Sequence, residues 1–465
     1  GTSGAYTVQL KAASGSGATV TFSATDKGYK IIYLDGVATN TGVYDVNSDL
    51  TVGDLTVTGA LVVDGGTIKL DGNYPTGTNN VALGDTALDS GSLSGGNNTA
   101  IGNAALTVNT SGVDNTAVGD LSLDANTTGG RNTAIGRVSL SSNTTGGDNV
   151  SIGRSALTSN STGCKNVAVG YGALLSNTEA NDNIAVGYQS LEQNTTGTSN
   201  IAVGCGALES NTTASDNVAM GKRALGGTTT GCRNTAMGRA AMNGNSTGDT
   251  NVAVGYSALY SSTTADNNTA VGSQALCTNT TGAHNVAVGA RAGDANTTGT
   301  QNTFVGGDYN GGPGGANTTG GCNTFIGNDS GMKNTTGSFS TSVGAESSCN
   351  GTTSHSNAAL GYKALKLLTT GNHNVAIGRE AMISNTTGTR NTGIGAYALY
   401  GNTTAEANTA VGYSALETNT TGAYNTAVGT LALDTNTTGA SNTALGYNVL
   451  TSNTTGIQNV AVGAC

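Results

Sequence analysis

The sequence repeats itself every 17 residues from Asn80 to its end. The idealised unit is NTAVGxxALxxNTTGxx, and its positions are numbered here from the leading asparagine. Counting Asn80 and Asn98, the unit occurs 23 times, with one slip of four residues before Asn323. Each copy is too short to bury its own apolar residues, so a fixed short period indicates one unit stacked on itself. The repeat therefore predicts a rod.

Positions 2 to 4 of the unit alternate as a short β-strand does. Position 4 is Val, Ile, Leu or Met in every copy, and position 5 is always Gly, which ends the strand. The Ala-Leu pair at positions 8 and 9 predicts a second short strand. The NTTG segment predicts a turn whose Asn and Gly adopt left-handed conformations. The residues that define this repeat include Asn115, Gly119, Asn132, Gly136, Asn166, Gly170, Asn408 and Gly412.

Stacking such units pairs each strand with the same strand one repeat later. The predicted fold is therefore all-β, a parallel β-solenoid (β-roll) of 17-residue coils. At about 4.8 Å per coil, the repeat region is expected to be on the order of 100 Å long.

The residues at one position of successive repeats form a column. Paired replacements in two such columns predict that both strand faces are buried. Position 3 is nearly always Ala, but it is Phe304 and Phe325 in two copies where Leu at position 9 is replaced by Asn310 and Gly331. Positions 3 and 9 are therefore expected to share one packing space, and position 4 needs a second one. A coil of this size is too thin to cover both faces, so we expect parallel chains to associate side by side, three around one axis.

The chain divides into three predicted parts. Residues 1–48 read as a small β domain with DG as a turn, and residues 49–79 read as a stem of very short strands. Residues 80–465 form the solenoid, which has an irregular zone at 290–356 and stops in mid-coil with an uncapped strand.

Within the irregular zone, the slip of four residues occurs at a GGPGG sequence. Drift tolerated by a long array explains it, and a protruding loop or a flexure point is the functional alternative. The residues concerned are Gly311, Gly312, Pro313, Gly314 and Gly315.

Composition argues against several classes of partner. The net charge is -10 and no stretch clusters Lys or Arg, which argues against nucleic acid. No run of 18 apolar residues appears, so no membrane insertion is expected. The seven cysteines are out of phase with one another and read as free thiols, as in a protein assembled in a reducing cytoplasm.

No catalytic, metal-binding or cofactor-binding constellation is found in the sequence. His284, His355 and His373 fall at positions 16 and 17 of separate coils, where exposed turn residues are expected. The GGxGxD, GxGxxG and Walker patterns are lacking. We expect no enzyme activity, no metal and no cofactor.

Two recurring motifs admit a structural and a functional interpretation. Tyr171, Tyr188 and Tyr256 occupy position 6, where a flat aromatic ring shields a turn or contacts a glycan. The NTT triplets match the glycosylation rule, but a turn asparagine followed by a threonine ladder explains them as well. Such triplets start at Asn126, Asn143, Asn194, Asn296, Asn385 and Asn453.

The wording of the repeat, NTAVGYSALETNTTGAYNTAVG at 408–429, resembles the repeat shafts of bacteriophage tail-fibre proteins, especially those of marine phages. It is also similar to the NxVAIG repeats of trimeric autotransporter adhesin heads, which form a left-handed trimeric β-roll. The segments YKIIYLDGVATN and DLTVTGALVVDGG resemble the N-terminal regions of phage fibres. In such phage proteins a self-cleaving chaperone often follows the shaft, which would account for the bare end at Cys465.

The resemblance implies a structural fibre of a phage virion, assembled in the host cytoplasm as a homotrimer. Its N-terminal region would bind other virion proteins, and its solenoid would reach a host-surface receptor such as a glycan, using several weak contacts at once. The alternatives are a bacterial surface adhesin or extracellular filament subunit on the cell surface, and an ice-binding β-solenoid whose threonine columns order water.

Overall fold

A computed structural model describes the strands at 8–11, 19–22, 32–34 and 43–45, and residues 78–307 and 311–464. The described residues contain β-strands and turns but no helix. The chain divides into two compact units, Gly1–Lys69 and Leu70–Cys465. The second unit is a parallel β-solenoid, as the repeat predicts.

Four strands of the first unit are described. Val8–Lys11 pairs antiparallel with Thr19–Phe22, and Ile32–Leu34 pairs antiparallel with Val43–Asp45. All four lie within residues 1–48, the part of the chain predicted to form a small β domain. Most of the predicted β domain at 1–48 and nearly all of the predicted stem at 49–79 lie outside the described residues, so those boundaries remain predictions.

Every coil of the solenoid contributes one three-residue strand, formed by positions 2 to 4. Neighbouring strands pair in parallel and in register, so that Val167, Ala168 and Val169 face Ile184, Ala185 and Val186. The strands are Val81–Leu83, Thr99–Ile101, Thr116–Val118, Thr133–Ile135, Val150–Ile152, Val167–Val169, Ile184–Val186, Ile201–Val203, Val218–Met220, Thr235–Met237, Val252–Val254, Thr269–Val271, Val286–Val288, Thr303–Val305, Thr324–Ile326, Thr341–Val343, Ala358–Leu360, Val375–Ile377, Thr392–Ile394, Thr409–Val411, Thr426–Val428, Thr443–Leu445 and Val460–Val462.

The predicted second strand is wrong. The Ala-Leu pair lies in a run of turns, and the leucine itself is left-handed, with φ near +50° at Leu157 and Leu174. The amide of Leu157 donates to the carbonyl of Ala173 in the next coil at 2.9 Å. This ladder bond holds a conformation that a leucine rarely adopts, and it turns the side chain into the core, where Leu157 is fully buried.

Glycine at position 5 is required by both conformation and space. Its φ is +134° at Gly119, Gly136 and Gly170 and +137° at Gly412, a region that residues with a side chain avoid. A Cβ on Gly136 would also lie 2.7 Å from the carbonyl carbon of Gly153 in the next coil. The two coils therefore approach through bare backbone at this corner.

The NTTG corner does not use left-handed glycine, contrary to the expectation from turn chemistry. Its glycine, such as Gly146, has no positive φ. Glycine is needed there because a Cβ would overlap the carbonyl oxygen of Gly163 in the next coil. The left-handed residue lies two positions later, at position 17, for example Arg131 with φ +59° and Asp148 with φ +60°.

Two columns of asparagine run through the interior. At position 1, the side-chain oxygen of Asn115 accepts from the backbone amide of Asn132 at 3.0 Å, and Asn132 Nδ2 donates to the carbonyl of Gly146 at 2.9 Å. At position 12, Asn143 Nδ2 donates to Asn126 Oδ1 at 2.8 Å. Because these side chains satisfy one another and the turn backbone, they lie fully buried in a polar corner of the coil. The NTT asparagines thus have a structural role.

Positions 3 and 9 share the apolar core, as the exchanges predict. Ala168 and Leu174 are fully buried in a regular coil. In the irregular zone the ring of Phe304 lies between Gly293 and Gly314, where added Cβ atoms would lie 2.6 Å from Cε2 and 2.5 Å from Cδ1 of that ring. The partner of Phe304 at position 9 is therefore Gly314 and not Asn310, which lies outside the described residues.

The reason for this difference is the place of the four extra residues. The amide of Gly293 donates to the carbonyl of Pro313, and the amide of Gly314 donates to the carbonyl of Ser330. These are the ladder bonds of positions 8 and 9, so the extra residues precede Gly312. From there the coil is regular again.

Candidate functional site

The repeat-defining asparagines and glycines predicted from the sequence belong to the frame of the coil and not to a surface. All four asparagines are fully buried. Gly312, Pro313 and Gly314 of the predicted loop are also buried, and with Gly315 they lie in the course of the coil. Gly311 is the last of the extra residues, and the three before it lie outside the described residues, so the flexure hypothesis remains a prediction.

The outer strand face is formed by the side chains of positions 2 and 4. Position 4 is apolar in every coil, whereas position 2 is threonine in 12 of the 23 copies and otherwise Val, Ile or Ala. Position 4 exposes 36–42% of its surface in ten coils, where it is Val, Ile, Leu or Met. Position 3 between them is buried, so the strand presents one face to the core and one outward. These ten members of position 4 are Ile101, Ile135, Ile152, Met220, Met237, Val271, Val288, Leu360, Ile377 and Ile394. Leu83, Leu445 and Val462, near the two ends of the solenoid, are more exposed.

Position 6 forms a second outer column, beyond the turn at the position 5 glycine. Tyr171 and Tyr188, two of the predicted contact residues, stack with ring centroids 5.4 Å apart and an interplanar angle of 13°. Arg154 lies over Tyr171 at 5.8 Å, and Arg239 lies over Tyr256 at 5.9 Å. Since Tyr188 and Tyr256 are four coils apart, about 19 Å separates them along the column.

A groove of about 730 Å³ lies between Tyr188 and Tyr256. Lys222, Arg223 and Arg239 line it together with a single carboxylate, that of Glu209. Part of its lining consists of small residues at positions 6, 7 and 10, where larger residues are found elsewhere in these columns. Small or short side chains of the lining are Cys205, Gly206, Ala240, Asn243 and Ser257.

These three cations do not form a visible cluster in the sequence, because only two of them are neighbours in the chain. Lys222 and Arg239 are 17 residues apart, and Arg137 and Arg154 precede them in the same column. They become visible when the repeats are aligned and the lysines and arginines at position 6 are compared, in the same way as the tyrosines. The column from Arg137 to Tyr256 contains four cations, three tyrosines and Cys205, but no acid.

The cations of the groove are not neutralised by ion pairs. Throughout the described ranges, no carboxylate lies within ion-pair distance of Lys222, Arg223 or Arg239. Asp120 neutralises Arg137 at the far end of the column, at 3.2 Å, and its pKa is lowered by hydrogen bonds from Asn103 and Arg137.

A second cation-aromatic cluster lies further along the same outer columns. Arg379 is 5.7 Å from the ring of Tyr397, which makes an edge contact with Tyr413 at 5.8 Å. Here the cations have acidic partners. Arg379 pairs with Glu380 at 3.5 Å, and Lys363 and Lys366 pair with Glu346.

Half-buried carboxylates occur at position 10 of three coils. Burial raises the pKa of Asp124, Asp294 and Asp434. One oxygen of Asp124 and one of Asp434 have no hydrogen-bond partner among the described residues. The three are far apart along the solenoid and form no joint site.

Within residues 78–307 and 311–464, no group of three or more His, Cys, Asp or Glu side chains is placed to hold a metal ion. The three histidines are exposed, and the six cysteines of this part of the chain are free. No described helix is long and apolar enough to cross a membrane.

Comparison with protein families, with curated proteins and with solved structures finds no match for this chain.

Proposed function

We propose that this protein is a structural fibre of a phage virion, in which parallel copies of the chain associate side by side, three around one axis, and project toward the host surface. The observation that carries the proposal is the position 4 column of the outer strand face, an apolar strip on the outside of a solenoid. In ten coils its position 4 side chain exposes 36–42% of its surface. A strip of this length is unusual on a protein that stays alone in water.

The occupant of this strip is a second copy of the chain. The apolar side chains recur once per coil, at the spacing of the β-ladder, about 4.8 Å. A partner that covers them along their length needs the same spacing, and a second copy of the chain has it by construction. Copies related by rotation about an axis along the rod are parallel to one another. Cyclic association then buries the same strip of each chain, which matches the symmetry of most homo-oligomers.

A stiff rod of associated solenoids suits attachment. Regular stacking fixes the positions of outer columns over a distance on the order of 100 Å. Side chains in these columns can then meet a surface at several points together, which raises the effective concentration of each weak contact. In this proposal the N-terminal region binds other virion proteins, and the host receptor contacts the outer columns.

Sedimentation of the purified chain at micromolar concentration tests the association. We expect a trimer, and we expect Ile152→Asp combined with Ile377→Asp to shift it to monomer, since the charges would lie on the outer strand face. Thr145→Asp combined with Thr387→Asp is the matched control, because both threonines are exposed on the NTTG corner. A wild-type monomer, or equal loss in the control, contradicts the proposal.

Electron microscopy of particles labelled with an antibody against the solenoid tests the virion assignment. Label on a fibre of the particle supports it, and purified protein should then compete with particles for host attachment. Label on the bacterial surface alone would favour the adhesin or filament subunit. The ice-binding hypothesis is tested by thermal hysteresis, which we expect to be absent, because the position 13 threonines, such as Thr144, donate their hydroxyls to the next coil at 3.0 Å.

A further inference from the structure

We propose that the groove between Tyr188 and Tyr256 binds an anionic sugar chain, with its acidic groups at Lys222, Arg223 and Arg239. The inference rests on the proposed attachment function for its biological meaning, and names the receptor chemistry that such a fibre would meet. Its physical basis is the groove itself, and binding can be measured whether or not the protein belongs to a virion.

The charge of the groove differs from that of the whole chain. The protein carries a net charge of -10, yet the groove contains three cations and one carboxylate. Like charges held close together without counterions repel one another. An anionic ligand removes that repulsion, and arginine adds two parallel hydrogen bonds to a carboxylate or sulfate.

The aromatic rings supply the second part of the recognition. About half of the surface of Tyr188 and Tyr256 is exposed, 52% and 51%. A flat ring offers an apolar surface to the C–H face of a sugar while its hydroxyl stays in water. Because the two rings are about 19 Å apart within the groove, they suit an extended chain of several sugar units better than a single sugar.

Polar groups between the rings can bind sugar hydroxyls. Asn243 and Glu209 line the groove and have no side-chain hydrogen bond within the described part of the chain. An amide donates and accepts, and a carboxylate accepts from hydroxyl groups. Because the sugars of a DNA chain have no free hydroxyl groups between the chain ends, the combination favours a sugar chain over single-stranded DNA.

The second cluster lacks this combination. Its arginine and lysines are paired with Glu380 and Glu346, so an anionic ligand would compete with acids already in place. It contains tyrosines and cations of the same columns, and therefore serves as an internal control for non-specific attraction.

The test is titration calorimetry on the full-length, assembled protein. The probes are an oligogalacturonate, a sulfated heparin oligosaccharide, a neutral cello-oligosaccharide and single-stranded oligo-dT. Binding of the carboxylated or the sulfated sugar with at least tenfold preference over the neutral one supports the proposal, and the stronger of the two identifies the acidic group. No anionic sugar binding, equal binding of the neutral sugar, or tighter binding of oligo-dT overturns it.

Variants then locate the site. Lys222→Gln combined with Arg239→Gln should weaken anionic sugar binding about tenfold or more, since each charged hydrogen bond lost costs about that factor. Tyr256→Ala should weaken it by about three- to tenfold through loss of the ring. Arg379→Gln combined with Tyr413→Ala, in the second cluster, should leave it unchanged, and equal loss there overturns the assignment.

Two further measurements separate loss of folding from loss of binding, and separate the groove proposal from the fibre proposal. Circular dichroism of each variant must match that of the wild type, which we expect because the substituted side chains are exposed. If the protein forms trimers and the antibody labels a fibre of the particle, but no anionic sugar binds, the groove proposal is rejected and the fibre proposal is kept. If the sugar binds but the protein is monomeric and absent from particles, the groove proposal is kept and the fibre proposal is rejected.

Discussion

The regular coils and the coils around Phe304 and Phe325 build one backbone from different side chains. In a regular coil Ala at position 3 lies against Leu at position 9. In the irregular zone Phe lies against Gly. The two rings also contact one another, with centroids 5.9 Å apart. The total volume is nearly conserved, as close packing requires.

The frame of the coil, which consists of the two asparagine ladders and the position 5 glycines, is the same in both regions. Asn323 donates its backbone amide to Asn302 Oδ1 at 3.0 Å, and Asn317 Nδ2 donates to Asn296 Oδ1 at 2.8 Å, across the four extra residues. Glycine at position 5 is also retained, at Gly306 and Gly327. The asparagine ladders and the position 5 glycines are therefore fixed, whereas the side chains that fill the core can be exchanged.

The largest expected effect comes from breaking the frame, which both regions share. Gly170→Ala places a Cβ 2.7 Å from the carbonyl carbon of Gly187 and keeps φ at +134°. Backbone strain and overpacking together should lower the free energy of local unfolding by about 4 to 6 kcal/mol. Hydrogen exchange of the flanking amides measures it.

Gly172→Ala is the matched control in the same coil. Its φ is +64°, and its Cβ would lie 3.6 Å from the nearest atom, in Gln189. Non-glycine residues occupy position 7 in most other coils with a similar φ, for example Ser155 at +57°. A change of no more than about 1 kcal/mol is expected. Equal destabilisation by both substitutions would show that position 5 is not special.

The next prediction tests whether the core side chains at positions 3 and 9 can be exchanged for one another. Phe304→Ala leaves a cavity between two glycines and should cost about 3 to 5 kcal/mol in the free energy of unfolding. Gly314→Leu alone should also destabilise, because its Cβ would overlap the ring.

The double variant of Phe304 and Gly314 should recover much of that loss, since it restores the alanine and leucine of a regular coil. Gly314 already has the left-handed φ of a position 9 leucine, +64°. Thermal unfolding of the two single variants and the double variant gives the coupling. Additive losses would contradict a shared packing space.

A smaller effect is expected from completing the frame where it is interrupted. Thr228 and Ser262 replace asparagine at position 12, and the side-chain oxygens of Asn211 and Asn245 are left buried without a partner in the described structure. Thr228→Asn should restore the ladder and stabilise by about 1 kcal/mol. Thr230→Asn, at the exposed position 14 of the same corner, should give no gain. A loss of stability in Thr228→Asn would contradict the ladder as the reason for asparagine here.

The smallest effect concerns two carboxylates of one coil, and only its sign is predicted. Burial raises the pKa of Asp124 above 3.8, so its contribution to stability is greatest below pH 3.8 and is lost as the pH rises through the raised pKa. Asp124→Asn should therefore raise the melting temperature at pH 7 and not at pH 3.

Asp120 in the same coil gives the opposite sign. Hydrogen bonds from Asn103 and Arg137 lower its pKa below 3.8, so its contribution is present above pH 3.8 and is lost as the pH falls through the lowered pKa. Asp120→Asn should lower the melting temperature at pH 7, with a smaller change at pH 3. The same sign for both substitutions would show that burial does not separate the two carboxylates.

The 17-residue period and its alternating residues were enough to predict the parallel ladder, its register and the shared core of positions 3 and 9. The reason is that stacking identical units at a fixed period leaves one register, and the alternation at positions 2 to 4 assigns the two faces. The pairing of Phe with Gly was also visible as an exchange between columns. One of its partners was assigned wrongly, because the sequence does not say where in the coil the extra residues are placed.

The candidate site was only partly predictable. Position 6 pointed to Tyr188 and Tyr256, but the groove between them depends on Gly206, Ala240 and other small residues from several coils. Its cations became visible only when residues 17 apart were brought into one column. Local sequence patterns do not contain such neighbours.

The sequence by itself determined that this chain stacks one unit into a parallel solenoid whose positions 3 and 9 share an apolar interior. Only the tertiary structure decided that each coil has one strand, that leucine at position 9 and the residue at position 17 are left-handed, and that glycine of the NTTG corner is needed for space. Local propensities favour other conformations at these positions. Hydrogen bonds to the next coil, such as that from Leu157 to Ala173, overrule the propensities, and those bonds exist only once the coils are stacked.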